Sequence, residues 1–237
     1  AAEDRDRQDP ALQAADLIAR PMFLTTSAGV PLEYLRIPGR GPAIVLLHEG
    51  LGSVSLWRDF PQRVAEATGH EVVAHSRQGY GRSSPLAAPR SVRFMHDEAL
   101  VVLPEVLDAL QIRRPILLGH SDGGSIALIH AGGSGREVAG LVVMAPHVMV
   151  EDLSIASIAQ ARSAYAQGDF RARLGRHHDD VDGAFGGWCG VWLDPAFRDW
   201  SLEDDAERVT CPVLLVQGVD DPYGTLDQLD RIQAIIR

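Results

Sequence analysis

The chain has 237 residues, 46% of them hydrophobic and 23% charged, which suits one α/β domain carrying an insertion. Its net charge of −10 weighs against the broad attraction that drives nucleic-acid binding, so that partner class is set aside. No apolar run approaches the roughly 20 residues that cross a bilayer, so a membrane is not expected as a partner either. Cys189 and Cys211 lack CxxC spacing and read as two free thiols. The chain opens on Ala1-Ala2-Glu3 with no signal-peptide pattern, and cytoplasmic is the default expectation for its location.

Residues 10–20 read as a short helix, with Leu12, Ala15, Leu17 and Ile18 on one side. Residues 22–26 and 31–37 read as two strands joined by a turn at Ala28-Gly29, an antiparallel edge. From there short apolar runs (43–47, 71–74, 115–118, 138–144 and 213–216) alternate with helical stretches (55–68, 92–110 and 123–131). Unbroken apolar runs of this length are expected of parallel strands buried on both faces. The fold class is therefore α/β, a mostly parallel central sheet flanked by helices. Residues 147–200 break the rhythm and read as a helical cap inserted after the sixth strand, which leaves 1–146 and 201–237 as the core. Residues 226–236 read as a last helix.

The run Pro115-Ile116-Leu117-Leu118 leads into Gly119-His120-Ser121-Asp122-Gly123, and a helix follows at once. Strand, G-x-S-x-G and helix in that order describe a nucleophile elbow, with Ser121 on a strained turn and glycines two residues to either side. The N–H of Asp122 opens the helix and is placed to donate to a developing oxyanion. The loop His48-Glu49-Gly50-Leu51-Gly52 follows the first central strand and is expected to supply the second donor, from Gly50 or, by a one-residue shift, Leu51. Ser76-Arg77-Gln78-Gly79-Tyr80-Gly81-Arg82-Ser83 reads as a tight structural turn, and Glu49 as a loop residue facing solvent.

These three segments, together with Gly218-Val219-Asp220-Asp221-Pro222, resemble the α/β-hydrolase family from about residue 22 onward. The chain departs from the family pattern at Glu49, where glycine often follows the histidine, and at Ser76, where aspartate is usual. The resemblance implies Ser121 as nucleophile, Asp221 as the acid that orients a histidine, and Gly50 and Asp122 as oxyanion donors. It also implies a further strand and a histidine-bearing loop after the acid. No histidine follows Asp221 in the sequence, so the base is expected beyond Arg237, with the final strand and helix missing; a histidine recruited from elsewhere in the chain, or a chain that has lost catalysis, are the alternatives.

Of the nine histidines, His147 closes the sixth strand and is expected beside the pocket, as are Trp188 and Trp192 of the aromatic cap. His120 is expected to point inward. His177 and His178, beside Asp179 and Asp180, read as a solvated helix end, and no metal or cofactor is called for. The activity expected is hydrolysis of a small carboxylic ester or lactone, with carbon–carbon bond cleavage of a diketone as the alternative. A hydrolase-like protein that only binds a small molecule is the alternative from another class.

Overall fold

The computed structural model describes residues 22–236, so the helix expected over residues 10–20 lies outside the described residues. Among those described, seven strands form one sheet in the order β1-β2-β4-β3-β5-β6-β7: β1 (Met22–Thr25), β2 (Pro31–Ile37), β3 (Arg40–Leu47), β4 (His70–His75), β5 (Ile116–His120), β6 (Gly140–Met144) and β7 (Val213–Val216). β1 and β2 pair antiparallel, as do β2 and β4, while every pairing from β4 through β3, β5 and β6 to β7 is parallel. The first two strands thus form the antiparallel edge that their turn signal predicts.

The crossovers are helical: α1 (Phe60–Thr68) after a 3₁₀ turn at Val54–Trp57, then α2 (Phe94–Asp97), which continues through a π-helical turn (Glu98–Val102) into α3 (Leu103–Ala109), and α4 (Asp122–Gly133). Between β6 and β7 lie α5 (Asp152–Gln167), α6 (Phe170–Leu174), α7 (Val181–Trp192) and α8 (Glu203–Ala206), and α9 (Asp227–Ile235) follows β7. No helix among the described residues is long and apolar enough to cross a membrane.

β3 and β4 are buried through their centres, with Val45, Leu46, Val72, Val73 and Ala74 inaccessible. β7 corrects the expectation of burial on both faces. Leu214 is 56% exposed and Val216 44%, because β7 is the sheet's last described strand and helices cover only the face carrying Val213 and Leu215. A half-covered apolar edge is a surface prone to further pairing.

Candidate active site

The parallel arrangement sets the site. β3, β5 and β6 all end on one edge of the sheet, where the turns after them meet, and crevices at such edges are where ligands bind. Ser121 sits between β5 and α4 with φ 51° and ψ −121°, a conformation costly for any residue with a side chain. The turn is held by the Ser121 N–H donating to the Met144 carbonyl at 2.8 Å and by the Ser121 carbonyl accepting from Gly124 and Ser125. A Cβ on Gly119 would fall 2.2 Å from the Gly123 carbonyl oxygen, and one on Gly123 would fall 2.0 Å from that of Leu47. Both obstacles are backbone and have no rotamer with which to yield. Gly123→Ala is therefore expected to lower the unfolding free energy by about 2–3 kcal/mol, read from urea unfolding, whereas a loss under 0.5 kcal/mol would contradict this account of the turn.

Above Ser121 lies a cavity of about 190 Å³ bordered by Glu49, Gly50, Leu51, His120, Ala145, His147, Trp188, Asp221 and Tyr223. Most of the expected site residues converge there. Gly50 borders it directly. The N–H of Asp122 opens α4, where the first turn has no intrahelical acceptor, and among the described residues neither the Gly50 nor the Asp122 amide has a hydrogen-bond partner. Trp188 of α7 lies against the Gly50 loop so closely that a Cβ on Gly50 would come within 2.2 Å of its indole nitrogen. Asp221 also borders the cavity and accepts from the Tyr223 N–H at 2.8 Å, while Asp220 faces solvent.

Trp192, expected on the pocket wall, lies behind it. One turn beyond Trp188 on α7, it is 1% exposed, packs edge-on against His147 with ring centroids 4.8 Å apart, and donates from Nε1 to Asp122 Oδ1 at 3.3 Å. Burial pushes the pKa of the Asp122 carboxyl up. His147 does reach the site, with Nε2 3.5 Å from Ser121 Oγ, a long contact. Its backbone is fixed by Ser125, whose Oγ accepts from the His147 N–H at 3.0 Å and donates to the His147 carbonyl at 2.7 Å. Burial lowers its pKa to about 4 against the pull of Glu151 and Asp221, so the ring is neutral at pH 7.

Three orientations differ from those read in the sequence. His120 faces the cavity rather than the interior, because β5 ends at the sheet edge and offers that side chain no layer to enter. Glu49 turns toward it instead of toward solvent, with Oε2 3.7 Å from His120 Nδ1. The nearby Glu49 carboxylate raises the His120 pKa; burial of Glu49 opposes its ionisation, but His120 and Arg77 hold its pKa below the usual value. His178 is buried rather than solvated. Its Nδ1 accepts from the Gly81 N–H at 2.9 Å and its Nε2 donates to the Leu51 carbonyl at 2.9 Å, tying together the turns that follow β3 and β4. His177 stays at the surface against Ser55, and no group of three metal-ligating side chains occurs among the described residues.

The Ser76 turn is structural, as expected. Ser76 Oγ donates to Glu33 Oε2 at 2.8 Å, and the same oxygen accepts from the Arg82 N–H at 2.9 Å. Glu33, reaching over from β2, thus supplies the carboxylate that Ser76 lacks, and only the antiparallel edge brings it there. Arg77 in the same turn is 2% exposed and lies beneath the Gly50 loop. A sequence shows Arg77 as one more basic turn residue, with no mark of burial. Tyr223 carries no sequence signal of its own, since it follows a turn-rich Asp-Asp-Pro run.

Comparison with known proteins bears on the fold and the family. A family model described as the alpha/beta hydrolase fold matches residues 42–185. The chain is 26% identical over 241 residues to the non-heme chloroperoxidase CPO-A1 of Kitasatospora aureofaciens, covering 90% of this chain and 86% of that protein. It is 28% identical over 204 residues to the serine hydrolase BPHL of Homo sapiens, covering 82% and 68% respectively. Among solved structures, the enol-lactonase from Burkholderia xenovorans LB400 matches with a TM-score of 0.70 at 19% identity, over 91% of this chain and 88% of that one.

Proposed function

The chain belongs to the α/β-hydrolase fold family and is a hydrolase; on that premise we propose that it cleaves a small carboxylic ester or lactone through an acyl-serine intermediate. The observation that carries the proposal is Ser121 on its strained elbow, bordering a cavity of about 190 Å³ beside the amides of Gly50 and Asp122, which have no partner among the described residues. Ser121 Oγ attacks the acyl carbon and gives its proton to a histidine, and the carbonyl oxygen becomes an oxyanion facing the two N–H groups. The carbon–oxygen bond of the tetrahedral intermediate breaks and the alcohol oxygen takes that proton, departing from an ester and staying tethered to the acyl group of an opened lactone. Water activated by the same histidine then opens the acyl-serine and releases the acid. Residues 147–200 serve as the cap, on the support of Trp188 covering the Gly50 loop.

Asp221 is the orienting acid, and the base is a histidine that bonds to it in the whole protein. The support for Asp221 is its place at the cavity, where no imidazole among the described residues bonds to it. The 3.5 Å contact between Ser121 and His147 favours a second reading in which His147 is the base. A pKa of about 4 makes it a weak one at neutral pH. His147→Gln is expected to lower kcat/KM by less than about tenfold, and a loss beyond about 10³-fold would transfer the role to His147.

The function itself is tested by assaying full-length protein against nitrophenyl esters of short acids, lactones and vinylogous diketones, with Ser121→Ala as control. Turnover of an ester or lactone that disappears in the variant is the expected result. Cleavage of the diketone alone would replace ester hydrolysis with carbon–carbon hydrolysis. Turnover of none of the three would favour a binding protein.

A further inference from the structure

We propose that Arg77 is a positioning residue for the oxyanion hole, its buried guanidinium fixing the Glu49–Gly50 peptide so that the Gly50 N–H faces the cavity; this rests on the serine-hydrolase reading above. A trans peptide is planar, and its C=O and N–H point in opposite directions. Whatever anchors the Glu49 carbonyl therefore aims the Gly50 amide. That carbonyl is anchored by three donors: Arg77 Nη2 at 2.9 Å, His48 Nδ1 at 2.7 Å and the Gly52 N–H at 3.0 Å. Arg77 Nη1 holds the preceding carbonyl, that of His48, at 2.6 Å. Two consecutive carbonyls are thus drawn to one guanidinium inside the protein, and the Gly50 N–H is left on the cavity side, where it has no partner among the described residues.

Arg77 is itself held rigidly. Its own N–H donates to His48 Nε2 at 3.1 Å, and its guanidinium lies 5.1 Å from the Tyr80 ring centroid. With Nε2 accepting and Nδ1 donating, His48 is fixed as the neutral Nδ1–H tautomer, and burial, aided by the charge of Arg77, keeps its pKa well below the ordinary value. The arrangement requires the planar fork of arginine, since a lysine ammonium is a point donor on a flexible stem and does not reproduce a pair of fixed N–H vectors. It follows from the sheet order: β3 and β4 are parallel neighbours, so the turn after β4 lies under the turn after β3.

A misaimed donor weakens the transition state more than the ground state. Arg77→Lys and Arg77→Met in the full-length protein are therefore expected to lower kcat by about 10-fold and about 100-fold, with KM changed less than about threefold. Affinity for an aryl boronic acid, which forms a tetrahedral adduct on the serine, is expected to fall in parallel with kcat. Rates are expressed per site, counted by exhaustive fluorophosphonate labelling, so that a partly unfolded variant does not imitate a slow one. The proposal is overturned if kcat per site stays within threefold of wild type in both variants, or if KM rises while boronate affinity is unchanged. Absence of fluorophosphonate labelling in the wild-type protein would instead overturn the serine-hydrolase reading, and the proposal with it.

Discussion

Ser121→Gly is expected to abolish turnover, by about 10³-fold or more in kcat/KM, and at the same time to raise the unfolding free energy by about 1 kcal/mol. The two effects have one cause. At φ 51° and ψ −121° a side chain strains the backbone by about 1–3 kcal/mol, and the only group that gains from this conformation is the hydroxyl it lifts into the cavity. Glycine removes both the strain and the nucleophile. Its extra freedom in the unfolded chain returns about 0.5–1 kcal/mol, which leaves a modest net gain. Ser121→Ala, which keeps a Cβ, is expected to lose the same activity without the gain. Urea unfolding of the three proteins with equal m-values provides the measurement; a glycine variant less stable than wild type would contradict the account.

Acid is expected to unfold the protein between pH 6.5 and 4. Burial pushes the pKa values of His75 and His147 down to about 4, with Arg77 adding to the effect at His75, and His48 is lowered in the same direction. In the unfolded chain these rings take up protons near pH 6.5; in the folded chain those of His75 and His147 stay neutral until about pH 4. Across that window the unfolded state binds more protons, so stability is fully present above pH 6.5 and is lost as pH falls toward 4. His75 and His147 together contribute a slope of up to about 2.7 kcal/mol per pH unit, large against a typical total of about 5–15 kcal/mol. His120, whose pKa Glu49 raises, acts in the opposite direction, but it is a single group and partly exposed. Urea midpoints at pH 7.5, 6.0, 5.0 and 4.5 test the slope, and His75→Gln should flatten it. Midpoints independent of pH in this range would contradict the burial of neutral histidines.

The alternation of apolar runs with helical stretches was enough to place the strands, because each run is short, unbroken and bounded by turn residues. The elbow was legible for the same reason: glycines at 119 and 123 answer to backbone clashes that any side chain would meet. What the residues alone do not carry is which neighbour covers them. β7 has the composition of a buried strand, yet Leu214 and Val216 lack a cover among the described residues. Trp188 and Trp192 share one face of α7, and only the packing of that helix sends one to the Gly50 loop and the other behind His147. Glu49, His120 and His178 have the composition of surface residues but meet polar partners across turns far apart in sequence. The replacement of an aspartate at Ser76 by Glu33 is likewise visible only once β2 is seen beside β4.

The central claim, that Ser121 is a nucleophile, is tested most directly by treating full-length protein with a fluorophosphonate probe and mapping the adduct by peptide mass spectrometry. One adduct on Ser121 is predicted, slowed by a competing ester and absent from Ser121→Ala. An unlabelled protein, or an adduct elsewhere with Ser121 untouched, would contradict the claim.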